Sequence, residues 1–427
     1  MNHIAPMKFP DMAVVKQKLS SSPIHDIPTT VWSSLSALPL FDAAKAGKTV
    51  AVAVGSRGIC HIDRVVYHCI KFLKEKGLKP SIVPAMGSHG GATSQGQKSV
   101  LAKLGISPST MGVPIHSEMD VVQLGKLKDG PNIFFSKKAL ESDYIIAINR
   151  IKPHTKFRAD IESGLCKMLT IGIGKAEGAT EFHQRAIKHS FTIIEEAASF
   201  IIPQLNILFG IALLEDGCGN LSRIEAILPS SIIDREKILL QESSEMMGRI
   251  PFDHLDILII DHIGKDISGI GMDSNITGRH RDIVGDFTTS PHVKRIFVRD
   301  LSPTSDGNGN GIGLADVTTK RLVDAIDLQK TYVNALAAIS PEKAAIPIYF
   351  DTDRQSMEAC TRTIGVASTE KARMVRIKDT SSLQLLQVSK ALEAEILSNP
   401  DVEQITPWKP FQFDENSNLR EFHHELE

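Results

Sequence analysis

Short apolar runs that end in a glycine-rich or polar loop recur along this chain, and they constrain its fold more than any other feature. Such runs occupy residues 49–54, 80–86, 144–148, 205–214 and 255–260. Their length and their β-branched content are typical of buried strands. Segments with helical spacing of apolar residues lie between them, and strands that alternate with helices usually connect in parallel. The sequence therefore predicts an α/β fold with mainly parallel sheets.

The same alternation continues in the second half of the chain. Strands are predicted at 295–299, 346–350 and 373–377, with helices around 315–338, 353–363 and 384–397. One amphipathic helix is predicted over residues 180–200, and residues 1–47 are interpreted as a connecting segment without a catalytic cluster. A chain of 427 residues is too long for one ordinary core. We predict two α/β domains, residues 1–250 and 251–427, with the active site in the cleft between them.

Composition and charge argue against several classes of protein. Hydrophobic residues make up 42% of the chain and charged residues 23%, as in ordinary soluble globular proteins. The net charge of −2 gives no reason to expect nucleic acid or an anionic membrane as a partner. No apolar run approaches the ~20 residues that span a bilayer. Five scattered cysteines without CxxC spacing, and no signal-peptide core at the start, predict a reducing, cytoplasmic location.

The stretch from Asn149 to His183 concentrates residues with chemical potential. Pro153 prevents a helix directly after the strand 144–148, so His154 lies on a loop at a strand end, where open α/β sheets place ligand chemistry. Lys167 and His183 follow in a frame that contains glycines 164, 172, 174 and 178. An amine, two imidazoles and accessible backbone amides suit a phosphate or another small anion. They do not by themselves name a reaction, because a single His or Lys is more often a packed or solvated group.

Other loops carry further candidate residues. Arg57 follows strand 49–54 beside a helix start, where it could hold a carboxylate, although a surface arginine is an equally good interpretation. His89 lies between glycines directly after strand 80–86, in a loop that favours function over packing. Lys265 lies in a long polar loop, residues 262–280, of a kind that is usually functional or disordered. The glycine-rich segment 307–313 matches no phosphate-binding motif and is interpreted as a flexible hinge or lid.

The order and spacing of these residues resemble the nickel-dependent lactate racemase family. In that family a histidine precedes a turn of small residues, a lysine follows it, then a Pro-Gly pair, and a second histidine ends the motif. The matching residues here are His154, Ser163-Gly164, Lys167, Ile171-Gly172 and His183. The separation of 16 residues between Lys167 and His183 agrees with the family, whereas Ile171 replaces its proline. The resemblance covers most of residues 50–215.

The resemblance implies a nickel-pincer nucleotide as the cofactor, a pyridinium mononucleotide whose sulfur-bearing groups and ring carbon bind nickel. It assigns to Lys167 the covalent thioamide link with this cofactor and to His183 the fourth ligand of nickel. Soft sulfur and carbon donors with one imidazole suit square-planar nickel. The backbone of Gly172 and Gly174, together with Lys175, are candidates for binding the phosphate of the cofactor.

The reaction implied by the resemblance is racemisation or epimerisation at C2 of a 2-hydroxy acid, by proton-coupled hydride transfer to the tethered cofactor. His89 and His154 would act as the two acid/base groups, and histidine can serve in both directions near neutral pH. Arg57, with Lys265, would hold the carboxylate of the substrate. The loop 262–280 has no match in the family and suggests a 2-hydroxy acid other than lactate, such as a dicarboxylate or a sugar acid.

Two other functions stay open. A nicotinamide-dependent 2-hydroxy acid dehydrogenase would be expected to carry a G-x-G-x-x-G motif after a strand, and none is placed there. A non-catalytic protein that binds a nucleotide or metallocofactor could share the fold, but it would not need two candidate bases. Under the favoured interpretation, the partners are a small 2-hydroxy acid and the proteins that make the cofactor. A homo-oligomer is compatible with the sequence.

Overall fold

A computed structural model describes residues 7–39, 46–55, 58–189 and 191–422. The chain divides into two compact units. The central unit comprises Ser20–Met247, and the terminal unit joins the described residues up to Leu19 to those from Gly248 onwards. The sequence-based division assigned all residues before 251 to one domain. The structure differs at the start of the chain, because the strand Met12–Gln17 pairs with strands from the last 45 residues.

Strands and helices are interspersed along the described chain. The strands are β1 (Met12–Gln17), β2 (Thr49–Val54), β3 (Lys79–Pro84), β4 (Val121–Lys126), β5 (Asn132–Ser136), β6 (Tyr144–Arg150), β7 (Ile207–Glu215), β8 (Leu221–Ile227), β9 (His254–Ile263), β10 (Arg279–His280), β11 (Phe287–Thr288), β12 (His292–Leu301), β13 (Val317–Thr319), β14 (Ile348–Phe350), β15 (Met374–Ile377), β16 (Leu385–Ser389) and β17 (Val402–Gln404). The helices are α1 (Ile27–Ser36), α2 (Ile62–Glu75), α3 (Ser94–Lys103), α4 (Pro108–Met111), α5 (Lys137–Leu140), α6 (Leu165–Lys167), α7 (Lys175–His189), α8 (Ile193–Ile201), α9 (Ile232–Met246), α10 (Ser274–Thr277), α11 (Lys320–Ala325), α12 (Leu328–Ala337), α13 (Asp353–Arg362) and α14 (Glu393–Ser398).

The central unit is built on a sheet in the order β3-β2-β6-β7-β8. Its first four strands are parallel, and β8 returns antiparallel to β7. The strands β2 and β7 are buried along almost their whole length, as expected when helices cover both faces of a parallel sheet. Helix α2 contributes Val66, Cys69 and Leu73 to the core, where Trp32 packs against the ring of Phe72.

The terminal unit contains a larger sheet in the order β14-β13-β12-β9-β15-β16-β1-β17. The strands from β14 to β15 are parallel, whereas β16, β1 and β17 pair antiparallel. Parallel pairs thus dominate both main sheets, and the predicted α/β class with mainly parallel sheets is confirmed. A buried network joins neighbouring strands of this sheet, because Asp261 of β9 accepts hydrogen bonds from Arg299 of β12 and Arg376 of β15. None of the described helices is long and apolar enough to cross a membrane.

Several local predictions are wrong. The segment predicted as a helix around 315–338 contains the strand β13 and the two helices α11 and α12. The helix predicted over residues 180–200 is instead two helices, α7 and α8. The helix predicted over 384–397 begins as the strand β16, because these residues pair with β1 and β15. The segment 307–313, expected to be a hinge or lid, is closely packed: a Cβ on Gly311 would lie 1.7 Å from the carbonyl oxygen of Ile270, and one on Gly313 would lie 1.9 Å from that of Glu342. Its glycines are therefore explained by close backbone contact.

Candidate functional site

The ends of neighbouring parallel strands bring several predicted residues to one edge of the central sheet. His89 follows β3, and His154 follows β6, and both strands are parallel to β2 between them. The carboxyl ends of parallel strands share an edge, and open α/β sheets bind ligands at that edge. Arg57, predicted after β2, lies outside the described residues. The prediction that it holds a carboxylate is not tested.

Lys167 and His183 lie on consecutive helical segments that cover this edge. Lys167 is the last residue of the short helix α6, which continues into a π-helical turn at Met168–Gly172. Helix α7 begins at Lys175 and carries His183 two turns later. Single π-helical turns are uncommon in proteins and occur often at functional sites. This turn lies between Lys167 and His183, the two residues for which the family resemblance implies contact with the cofactor.

Two phenylalanines, Phe157 and Phe191, form a stacked pair that we call the aromatic stack. Their ring centroids are 4.4 Å apart, and the ring planes differ by 17°. The side chains are only 5% and 2% exposed. Neither residue was predicted as part of the site, although Phe157 lies inside the motif and Phe191 lies within the segment predicted as an amphipathic helix, residues 180–200. Their pairing could not be recognised because it joins residues 34 positions apart.

Four basic side chains surround the aromatic stack. The ring of His154 stacks on Phe157 at a centroid distance of 4.3 Å, and the ring of His183 meets Phe191 edge-on at 5.8 Å. The Nζ atom of Lys167 lies 5.7 Å from the centroid of Phe157, and that of Lys156 lies 5.8 Å from the centroid of Phe191. Ammonium groups at these distances are attracted by the ring faces. The structure therefore brings His154, Lys167 and His183 together around one apolar centre.

The backbone fixes the orientation of the His154 ring. The backbone N–H of Lys156 donates to Nδ1 of His154 over 3.0 Å. Since Nδ1 is an acceptor in this contact, the proton of the neutral imidazole resides on Nε2. The backbone N–H of His154 donates in turn to the buried carboxylate of Glu162, and burial raises the pKa of that carboxylate. In this arrangement His154 offers a hydrogen-bond donor, and it accepts a proton only if the Lys156 contact is released.

A buried glutamate that the sequence did not single out supports the helix of Lys167. Glu236, on α9, is fully buried, and its Oε2 accepts a hydrogen bond from the backbone N–H of Cys166 over 2.9 Å. Its Oε1 lies so close to Gly164 that a Cβ there would be 2.2 Å away. Burial raises the pKa of Glu236 to about 7, and the amide of Cys166 offsets part of this effect. No sequence pattern marks Glu236, because its helix is 70 residues downstream.

The residues predicted to bind the cofactor phosphate have structural contacts of their own. A Cβ on Gly172 would lie 2.6 Å from the carbonyl oxygen of Ala85, and one on Gly174 would lie 2.8 Å from that of Phe134. Both glycines thus allow close backbone packing, and their contact with a phosphate stays a prediction. Lys175 is fully buried and its Nζ donates to protein oxygens. The contact of Lys175 with the cofactor phosphate likewise stays a prediction, and it would require Nζ to exchange these internal contacts for the ligand.

The loop that carries His89 is held in a fixed shape by glycines. The backbone N–H of His89 donates to the carbonyl oxygen of Met86 over 3.2 Å. Gly90 and Gly96 approach so closely that a Cβ on Gly96 would lie 1.8 Å from the oxygen of Gly90. Helix α3 begins directly after this loop, and the side chain of Thr93 caps it by accepting the backbone N–H of Gly96. His89 is therefore presented by an ordered loop.

Lys265 belongs to the terminal unit and follows β9. Its Nζ donates to Oδ1 of Asn334 on α12. The surrounding loop 262–280 is ordered: Gly264 N–H donates to the oxygen of Gly271, and Asp273 caps the helix α10. A role of Lys265 in holding a substrate carboxylate stays a prediction, and it would require Nζ to exchange its contact with Asn334 for the ligand.

Comparison with known proteins gives one family-model match and a distant structural likeness. Residues 55–230, less than half of the chain, match a family model described as a domain of unknown function, DUF362. No match was found among curated proteins. Among solved structures, the chain is similar to the lactate racemase apoprotein from Thermoanaerobacterium thermosaccharolyticum, with 15% identity, a TM-score of 0.47, and coverage of 93% of this chain and 92% of that chain. A likeness at this level assigns neither a substrate nor a residue role.

Proposed function

We propose that this protein is a racemase or epimerase that inverts C2 of a 2-hydroxy acid, with a nickel-pincer nucleotide tethered to Lys167 and its nickel bound by His183. The observation that carries this proposal is the arrangement around the aromatic stack. Lys167 and His183 face opposite members of the Phe157–Phe191 pair, and His154 stacks on the first of them. Residues chosen from a linear motif therefore meet at one centre, at the ligand-binding edge of a parallel sheet.

The residues at this centre fit the chemistry of the proposed cofactor. A tether needs an amine beside an apolar surface, and Lys167 is half-buried against the ring of Phe157. A planar pyridinium needs flat apolar neighbours, which the aromatic stack and the ring of His154 provide. The described part of the chain holds no cluster of three or more His, Cys, Asp or Glu side chains that could bind a metal ion. The proposal requires only one protein ligand for nickel, the imidazole of His183. When bound, the cofactor would supply a carbon that accepts and returns a hydride.

The side chains of this protein would move the proton and hold the substrate. A racemase needs one acid/base group on each side of the substrate, and we assign His89 and His154 to these roles. In the described geometry, the neutral ring of His154 presents Nε2–H, which can hydrogen-bond a substrate oxygen but cannot give up a net proton. His154 becomes a proton donor only after Nδ1 is protonated and its contact with Lys156 is released, so we assign the first proton acceptance to His89. The buried aromatic stack keeps water away from one side of the centre. Arg57, with Lys265, is proposed to bind the carboxylate of the substrate.

The test is to load the protein and locate the cofactor. The full chain would be co-expressed with the proteins that make the nickel-pincer nucleotide, in the presence of nickel, and analysed by intact mass, peptide mapping and metal content. We expect a mass increment of cofactor size on the peptide that contains Lys167, together with stoichiometric nickel. A panel of 2-hydroxy acids, including dicarboxylates and sugar acids, would then be screened for inversion at C2 by chiral chromatography.

Two lysine variants provide a matched comparison. Lys167→Met should abolish the adduct, whereas Lys188→Met, which changes an exposed lysine of α7, should leave it unchanged. His183→Ala should retain the adduct on Lys167 but lower the nickel content. His89→Ala and His154→Ala should each retain adduct and nickel and lose racemisation. If protein produced with the cofactor-making proteins and nickel carried no adduct on Lys167, the proposal would be refuted. Binding of a nicotinamide nucleotide instead would support the dehydrogenase alternative.

A further inference from the structure

Lys175 is a buried lysine that contacts both segments carrying the candidate residues. Its side chain is fully buried, and its Nζ donates to the carbonyl oxygen of Pro84 over 2.7 Å and to Oε1 of Gln97 over 3.2 Å. Pro84 is the last residue of β3, directly before the loop of His89. Lys175 itself begins α7, which carries His183. One amine therefore joins the end of β3 to the start of α7.

Gln97 extends this contact into the loop of His89. Its side chain is fully buried on α3, and its Nε2 donates to the carbonyl oxygen of Gly87 over 2.8 Å and lies 3.5 Å from that of His89. From the other side, the backbone N–H of Gly87 donates to the carbonyl oxygen of Gly172, in the π-helical turn after Lys167, over 2.8 Å. The loop is thus held between Gln97 and that turn.

Lys175 carries two energetic costs that packing alone does not require. Its backbone φ of +56° lies in the left-handed region, which is unfavourable for residues with a side chain. Burial lowers the pKa of this amine to about 8, and the charge of Glu118 offsets only part of that effect. A glycine would relieve the backbone and a methionine would fill the same space without charge. Groups retained at such cost are concentrated at functional sites.

We propose that Lys175 and Gln97 are positioning residues that fix the loop of His89 against the segment carrying Lys167 and His183. Lys175 orients the side chain of Gln97 by donating to its Oε1, which leaves Nε2 directed at the carbonyl oxygens of the loop. The separation between a proton-transferring imidazole and the cofactor tether would then depend on this pair. The inference rests on the proposed function for the role of His89, whereas the contacts can be tested without cofactor.

The test compares three variants of the full chain without cofactor. Gln97→Glu gives the Lys175 amine a carboxylate partner but removes the Nε2 donors, so it should preserve the fold and release the loop. Lys175→Met removes the other half of the contact. Gln95→Glu, an exposed position on the same helix, makes the same chemical change without touching the loop. Hydrogen exchange of residues 85–97 and NMR signals of the His89 ring would be measured, with His68 on α2 as the reference.

We expect amide exchange in residues 85–97 to become at least about tenfold faster in Gln97→Glu and Lys175→Met, and the ring signals of His89 to shift while those of His68 do not. Gln95→Glu should behave like the unmodified protein. The proposal is overturned if Gln97→Glu matches Gln95→Glu, or if exchange rises while the His89 signals stay in place. If Lys175→Met fails to fold, the result for Gln97→Glu alone decides whether the pair positions the loop of His89. Absence of a cofactor adduct on Lys167 would refute the proposed function and leave this result standing.

Discussion

At the scale of single residues, the site is shaped by backbone N–H groups that point at side chains. The amide of Lys156 determines which nitrogen of His154 carries the proton, and the amide of Cys166 holds one oxygen of Glu236. Contacts of this kind leave no trace in a sequence, because any residue supplies the same backbone N–H. The types of the candidate residues could therefore be predicted from the motif, but their protonation and orientation could not.

Glu236 should make the stability of the protein depend on pH. Its pKa of about 7 in the folded protein lies above the ordinary value of 4.5, so folding favours the protonated form. The stabilisation is complete below about pH 4.5 and is lost as the pH rises through 7. From the size of the shift, this group should lower the free energy of unfolding by on the order of 2 kcal/mol between pH 5 and 8.

Glu236→Gln should remove that part of the pH dependence, because the amide is neutral throughout and can still accept the backbone N–H of Cys166. Urea unfolding at pH 5 and pH 8 would measure it, and the variant should be the more stable protein at pH 8. Glu245→Gln, at an exposed position of the same helix, serves as the control and should follow the unmodified protein. An unchanged pH dependence in Glu236→Gln would mean that the carboxylate is charged in the folded state.

At the scale of elements, prediction succeeded where a segment carries its own signal. The runs that form β2, β6 and β9 are apolar along most of their length, and burial in a parallel sheet leaves few other interpretations. Prediction failed where the secondary structure of a segment depends on a strand that is distant in sequence. The residues Leu385–Ser389 fit helix or strand, and β16 forms because β1, more than 360 residues away, supplies the hydrogen bonds. Non-local pairing of this kind is invisible to a local pattern.

The strand β1 should therefore be essential for the terminal unit, although it precedes the central unit in sequence. Val15 is fully buried and lies between Leu386 of β16 and Gln404 of β17. Val15→Asp would bury a carboxylate without a partner, at a cost of several kcal/mol. Hydrogen exchange of residues 385–389 should become much faster in this variant. In Lys16→Asp, at the adjacent exposed position, hydrogen exchange of residues 385–389 should stay near the original rate. Equal protection in both variants would show that β1 contributes little.

At the scale of the whole molecule, the described residues include two hydrophobic cores that share no residues, one in each unit. Phe209 of β7 belongs to the core of the central unit, and Phe297 of β12 belongs to that of the terminal unit. The two tryptophans are divided in the same way, with Trp32 in the central unit and Trp408 in the terminal unit. Chains of this length commonly unfold in more than one step. Each tryptophan can therefore report on the unit that contains it.

Each core should respond to its own substitutions. Both phenylalanines are fully buried, and replacing such a residue by alanine typically costs about 3–5 kcal/mol. In a Trp408→Phe background, Phe209→Ala should lower the urea midpoint seen by Trp32, and Phe297→Ala should leave it nearly unchanged. In a Trp32→Phe background, the two effects on Trp408 fluorescence should be reversed. If either substitution moved both probes equally, the two cores would unfold as one cooperative unit, and the division of the chain would describe its geometry but not its energetics.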